Sequence, residues 1–194
     1  MTSYWRQVPT WSLGGNDRYG DCTFVSLANF HDLVTAVAGK PEVMMEAEAE
    51  HFYAVEAGFN SQDASTDRGE VLKKVLAYWA ENGWPGDAEL KPKDWGSCTH
   101  DQADGIITRY GAYFAWVMLP HTADCEDWDW SDDALARNAP GEGAHAILVV
   151  EKTPVGRVVI TWAEPQGVSD AWWARYAQPD AFWAEHPKWP AHPA

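Results

Sequence analysis

The chain has 194 residues, of which 46% are hydrophobic and 22% charged, a composition typical of a folded globular protein rather than a disordered one. This length supports one full core, or two small lobes packed together, and excludes two independent large domains. Twenty-nine acidic against 14 basic residues give a formal net charge of −15, so the average field repels nucleic acid. We therefore expect one domain over residues 1–194 that does not bind nucleic acid.

The first half of the chain is predicted to be mainly helical. After an extended lead-in over 1–15, apolar residues recur at three- and four-residue steps over 23–38, and a second such segment covers 43–57. A third helix is predicted after Thr66 and Asp67, either of which can cap it, and it ends before Gly83. Residues 1 to about 95 are thus expected to form a helical lobe.

The second half is predicted to be rich in strands. Beyond a Pro- and Gly-rich stretch at 84–96 we expect a helix over 100–110 and a strand over 112–119. The acidic segment 120–143 is expected to be a solvated loop, with metal binding by Asp124–Asp133 as the alternative. The apolar runs 144–151 and 157–162 indicate a β-hairpin, and a Trp-rich helix is expected near 169–185.

The sequence shows no signal for secretion or membrane insertion. No basic and then apolar segment resembles a signal peptide, and no apolar run approaches the roughly 18 residues that a membrane span needs. The three cysteines, Cys22, Cys98 and Cys125, are odd in number and widely spaced, which does not favour a disulfide framework or a zinc site. We expect a reduced location, in the cytoplasm or, if a phage encodes the chain, in the host cytoplasm or the virion, with no membrane partner and no metal or other cofactor.

Cys22 follows Gly20 and Asp21 directly ahead of the first predicted helix. A thiol in the first turn of a helix faces the positive end of the helix dipole and unpaired backbone N–H groups, which favour the thiolate. Because the thiolate is the nucleophilic form, we expect Cys22 to ionise well below a free thiol and to attack a carbonyl. The alternative is a buried structural thiol. Asp21 is expected to cap the helix, with tuning of the charge at the site as the alternative.

His145 is the best partner for this thiol among the seven histidines. It opens an apolar strand after a Gly-rich linker, where a side chain can project from the edge of the core into a cleft. We expect it within hydrogen-bond reach of Cys22. His31 lies nine residues along the same helix, too far along its axis to reach the thiol. The alternative is that His145 is a satisfied polar residue at a strand end.

Taken in order, these residues resemble papain-like cysteine peptidases, specifically the short members found in bacteria and phages. The resemblance covers roughly residues 10–165 and rests on Asn16 six positions before Cys22, the Gly20–Cys22 helix start, the Thr66–Gly69 segment before a helix, and His145 followed by a strand bearing Trp162. It implies an α+β, papain-like fold in which the helical N-terminal lobe packs on a strand-rich C-terminal lobe, about 96–194, with a cleft between them.

The resemblance also implies roles for single residues. Cys22 would attack a carbonyl, His145 would move the proton, Asn16 Nδ2 and the Cys22 N–H would hold the oxyanion, and Trp162 would shield the imidazole. Asn16 replaces the glutamine usual in this family, and it can equally serve a turn beside Gly15.

The residue that orients the imidazole is left open. By count, the family's asparagine or aspartate falls on Thr161, 16 residues after His145, or on Ile160 if Trp162 is aligned instead. Glu164, two residues beyond the tryptophan, offers a carboxylate and is the catalytic alternative. A misoriented imidazole would lower activity without removing the fold.

Two classes of function fit these observations. The first is a cysteine peptidase or related thiol acyl hydrolase, encoded by a phage or a bacterium, that acts on a peptide or isopeptide bond of a peptide or protein substrate. A peptidoglycan amidase would share this chemistry but would need export. The second is a noncatalytic interaction protein on the same scaffold, such as a phage virion or capsid-surface component, and the acidic charge and 13 tryptophans suit it. The sequence leaves the oligomeric state open.

Overall fold

The computed structural model describes residues 3–119 and 143–191, which form an α+β fold. The helices are α1 (Cys22–Val37), α2 (Glu46–Ala57), α3 (Leu72–Asn82), α4 (His100–Tyr110) and α5 (Asp170–Tyr176). The strands are β1 (Asp94–Cys98), β2 (Tyr113–Leu119), β3 (Gly143–Thr153), β4 (Gly156–Thr161), β5 (Glu164–Ser169) and β6 (Ala177–Glu185). Short 3-10 turns occupy Tyr4–Gln7 and Ala64–Thr66.

The six strands form one sheet in the order β1-β6-β2-β3-β4-β5, and every neighbouring pair is antiparallel. Hairpins join β3 to β4 and β4 to β5, whereas β6 returns from the end of the chain to lie between β1 and β2. The predicted acidic loop, with Cys125, lies outside the described residues except for Gly143. The sheet thus brings the start of β3 beside the end of β4.

Helices cover both faces of this sheet. Because side chains alternate along a strand, Phe114 and Leu148 pack with α1 on one face, whereas Ile147 and Val149 pack with α4 and α5 on the other. All residues of α1 from Cys22 to Ala36 are buried, as expected of a central helix surrounded by other elements. Among the described helices, none is both long enough and apolar enough to cross a membrane.

The prediction of a C-terminal helix over 169–185 was wrong for most of its length. The helix ends at Tyr176, and Ala177–Glu185 form the inner strand β6. Pro179 explains why the helix does not continue, because proline removes a backbone donor and clashes within a helix. The strands β1 and β5 were not predicted, since neither has a clear apolar alternation.

The predicted caps of α3 were also wrong. The helix begins at Leu72, and its N-cap, Val71, makes no side-chain cap hydrogen bond. Asp67 instead accepts hydrogen bonds through Oδ1 from the Gly20 backbone N–H at 2.9 Å and from the Tyr53 hydroxyl at 2.8 Å. Asp67, which the sequence predicted as a cap of α3, thus holds the segment before α1 instead.

Candidate active site

The loop that leads into α1 is held at both ends by carboxylates. The Gly15 N–H donates to Asp21 Oδ2 at 2.8 Å, and the Gly20 N–H donates to Asp67 Oδ1. A β-carbon on Gly20 would lie 3.2 Å from the backbone nitrogen of Gly69, so the two segments meet closely only because glycine stands here. These contacts fix the position at which α1 begins with Cys22.

Cys22 is buried against the start of β3. Its side chain is 8% exposed, and its Sγ accepts a hydrogen bond from the Ala146 backbone N–H at 3.4 Å, although the two residues are 124 positions apart. Cys22 and Ala146 belong to the same core cluster. The fold therefore brings the thiol to the residue that follows His145.

The His145 imidazole lies in a pocket made by the end of β4 and the turn after it. The ring is 6% exposed, its Nε2 lies 2.7 Å from Thr161 Oγ1, and the ring stacks on the Trp162 indole with centroids 4.7 Å apart and planes at 18°. Thr161, 5% exposed, is one of the alternatives that the sequence left open. The contact fixes the orientation of the imidazole and shields it on one face.

The turn that carries Trp162 has an unusual backbone. Thr161 pairs with Glu164, so Trp162 and Ala163 form a two-residue hairpin loop, and both have positive φ, 45° and 62°. Such turns favour Asn-Gly, and other residues cost roughly 1–2 kcal/mol each in this region. Strain of this kind persists where surrounding contacts hold it and clusters at functional sites. Here the stacking of Trp162 on His145 is such a contact.

Burial keeps both reactive groups neutral in the described geometry. Burial raises the pKa of the Cys22 thiol to about 11, against the opposing effect of the Ala146 N–H, and the charge of Asp21 acts in the same direction as burial. Burial likewise lowers the pKa of His145 to about 4. The expectation that Cys22 ionises below a free thiol is therefore wrong for this geometry. Cys22 and His145 both lie in the described part of the chain, and there no hydrogen bond joins the thiol to the imidazole.

The other candidate catalytic residues, Asn16 and Glu164, make no side-chain contact with the Cys22–His145 pair among the hydrogen bonds of the described residues. Asn16 is half-buried in the loop before α1, where its backbone N–H donates to Leu13 O at 3.2 Å, and its side chain makes no hydrogen bond within the described residues. Glu164 is exposed at the start of β5, and its carboxylate makes no hydrogen bond to the imidazole in the described part of the chain. The structure thus places Thr161, not Glu164, against His145. Ile160 is buried in the core.

Two acidic residues make side-chain contacts that the sequence did not predict. Asp21 stands at the N-cap position of α1, but its side chain makes no cap hydrogen bond and reaches back to Gly15 instead. Asp67 holds Gly20, as described above. The sequence signal for each contact is the glycine that donates the hydrogen bond, Gly15 to Asp21 and Gly20 to Asp67. A residue without a side chain lets its backbone N–H approach a carboxylate closely.

Within residues 3–119 and 143–191, no group of three or more His, Cys, Asp or Glu side chains is arranged to hold a metal ion. Comparison with known proteins adds no assignment to this geometry. No protein-family model matches the chain, and no curated protein matches it significantly in sequence.

Proposed function

We propose that the chain is a papain-like cysteine peptidase or related thiol acyl hydrolase that acts on a peptide or isopeptide bond. One observation carries the proposal: Cys22 Sγ, at the start of α1, contacts the backbone N–H that follows His145, and the imidazole is held by Thr161 and covered by Trp162. A thiol, an imidazole and a group that orients the imidazole are the components of nucleophilic acyl transfer.

The proposed reaction starts from the neutral pair. When Nε2 of His145 carries its proton and donates to Thr161, Nδ1 is free to accept the proton of the Cys22 thiol. The sulfur then attacks the substrate carbonyl, and the oxyanion is held by the Cys22 N–H and Asn16 Nδ2. Collapse breaks the C–N bond, and the imidazolium gives its proton to the leaving amine. Water, deprotonated by the imidazole, then hydrolyses the thioester.

The neutral resting pair sets one condition on this mechanism. Because burial opposes both the thiolate and the imidazolium, the ion pair has to form together with the attack rather than before it. Thr161 supplies a neutral hydroxyl, which stabilises an imidazolium less than a carboxylate does. We therefore expect slow turnover for a thiol peptidase.

The test is hydrolysis of a set of unfolded proteins and short peptide amides by the wild type and three variants. Cys22→Ala and His145→Ala should each lower the rate by at least about 100-fold, because each removes a reacting group. Cys98→Ala is the matched control, since Cys98 is a half-buried free thiol outside the site, and it should retain the rate. Equal hydrolysis by Cys22→Ala, or none by the wild type on any substrate, overturns the proposal.

A second candidate function is favoured by the burial of the site. The thiol and the imidazole are 8% and 6% exposed and share no hydrogen bond, which suits a scaffold that no longer catalyses. We propose as this alternative a noncatalytic interaction protein, such as a phage virion or capsid-surface component. It predicts that a peptide-like electrophile leaves Cys22 unmodified in the folded protein at pH 7, whereas the peptidase proposal predicts labelling that His145→Ala abolishes.

A further inference from the structure

Asp21 is a buried carboxyl group that the proposed reaction does not use. It directly precedes Cys22 and is 0% exposed. Its Oδ2 accepts the Gly15 N–H at 2.8 Å, whereas its Oδ1, also buried, has no hydrogen-bond partner within the described residues. A buried carboxylate oxygen without a partner destabilises a fold. A less costly residue, such as alanine, would avoid this penalty, so the position of Asp21 points to a role.

The loop before α1 is built closely around this carboxyl group. A β-carbon on Gly14 would lie 3.1 Å from Asp21 Oδ2, and one on Gly15 would lie 3.2 Å from it. Gly14 also has φ +57°, a conformation that favours glycine. The bare backbone of these two glycines therefore packs directly on Asp21, and the residue that follows them is Asn16.

Negative charge surrounds the same carboxyl group. Burial raises the pKa of Asp21 to about 7, and the charges of Asp67 and Glu50 act in the same direction, whereas the Gly15 N–H opposes them. Arg18, in the loop before α1, pairs with Glu46 and lies 3.6 Å from Glu50 rather than pairing with Asp21. The charge of Asp21 in turn opposes ionisation of the adjacent Cys22 thiol.

We propose that Asp21 is a positioning residue of the Cys22 site, which holds the loop of Asn16 against the start of α1, and that its negative charge restrains the thiol from ionising. The part that concerns Asn16 rests on the proposed function, because it assigns the loop to the oxyanion. The effect on the thiol does not require turnover.

The experiment measures alkylation of Cys22 by iodoacetamide between pH 6 and pH 10, with peptide mapping to separate it from the other cysteines. Asp21→Asn removes the charge and keeps an oxygen that can accept from Gly15. We expect Cys22 in this variant to react at least about threefold faster at pH 8, with the rise of its rate moved to lower pH. Asp101→Asn is the matched control, since the same charge is removed from an exposed position on α4, on the other face of the sheet. It should leave the profile unchanged.

Hydrogen exchange at the Gly15 amide tests the positioning role in the same proteins. Asp21→Ala, which removes the acceptor, should speed exchange at Gly15 by at least about tenfold, whereas Asp21→Asn should keep it protected. An Asp21→Asn alkylation profile equal to that of the wild type rejects the charge effect, and protection of Gly15 in folded Asp21→Ala rejects the positioning role. If Asp21→Ala does not fold, a Gly15 amide that exchanges in the wild type as fast as the amide of the exposed Asp17 rejects the positioning role instead. Neither alkylation of Cys22 nor hydrogen exchange at Gly15 requires peptide hydrolysis, so these results are independent of whether the proposed function fails.

Discussion

His31 Nδ1 lies 3.1 Å from His186 Nε2, and the hydrogen bonds around the pair determine which nitrogens carry protons. The Lys188 backbone N–H donates to His186 Nδ1 at 3.1 Å, so in the neutral ring Nε2 holds the proton and donates it to His31. His31 Nε2–H then donates to Glu42 Oε2 at 3.0 Å, which Lys188 Nζ also contacts at 2.6 Å. The hydrogen bonds therefore run in one direction, from His186 in the core through His31 to Glu42 at the surface.

The first prediction is that protonation of this pair destabilises the fold. Burial lowers the pKa of both histidines, so below about pH 6.5 the unfolded chain binds protons that the folded chain does not. Their contribution to the free energy of unfolding should therefore fall with pH below 6.5, by up to about 1.4 kcal/mol per pH unit for each histidine. Glu42, Glu48, Lys188 and Lys93 are the other charges that act on the pair.

Urea unfolding of the wild type and His186→Gln between pH 7.5 and pH 5 measures this contribution. The variant should lose less stability on acidification, and His51→Gln, at an exposed histidine, should follow the wild type. The comparison is needed because Asp21 and Asp32, whose pKa values burial raises to about 7, favour the fold as pH falls from 7. Equal pH slopes in the wild type and His186→Gln would contradict the prediction.

The second prediction concerns the thiol in the folded and unfolded chain. Because burial raises the pKa of Cys22 to about 11, iodoacetamide should react with it slowly at pH 8 and faster above pH 10. In urea the midpoint should fall to that of a free thiol, about 8.5. Cys98, which is half-buried, provides an internal comparison in the same protein. A rate already at its plateau near pH 6 would show that the thiol is activated after all.

The third prediction separates the two candidates for orienting the imidazole. Thr161→Val leaves the buried Nε2 of His145 without its partner and should lower the free energy of unfolding by about 1–3 kcal/mol, whereas Thr161→Ser should recover most of the loss. Glu164→Gln, at an exposed position, should stay within about 0.5 kcal/mol of the wild type. If the chain hydrolyses peptides, turnover should follow the same order. A larger effect of Glu164→Gln than of Thr161→Val would reverse the assignment.

The fourth prediction tests the contacts that hold the helix start. The Tyr53 hydroxyl donates to Asp67 and accepts the Gly69 N–H at 2.8 Å, so Tyr53→Phe removes two hydrogen bonds. We expect a loss of about 2 kcal/mol in the free energy of unfolding and faster exchange at Gly69. Tyr78→Phe is the control, because Tyr78 is half-buried and its ring packs on Phe52, as the Tyr53 ring packs on Phe59. Equal losses in the two variants would show that the hydroxyl of Tyr53 is not what fastens this segment.

Much of the local structure can be predicted from the sequence. The helices α1, α2 and α4 and the β3–β4 hairpin follow from apolar spacing and from glycine and proline stops, which act between residues close in the chain. The same reasoning selects Cys22 at a helix start and His145 at a strand start, whereas Thr161 is reached only by the count that the family resemblance implies. The selection of these residues needs only their order and spacing along the chain, which can be read from the sequence.

Contacts between distant residues were decided only by the tertiary structure. Ala177–Glu185 become a strand because β1 and β2 offer hydrogen-bond partners on both sides, which no local pattern encodes. Thr161 rather than Glu164 meets His145 because the Trp162–Ala163 turn reverses the chain and leaves Glu164 exposed. The ionisation of Cys22 was predicted with the wrong sign, because the helix start favours the thiolate while burial against β3 disfavours it more strongly. That burial is supplied by residues more than 100 positions away.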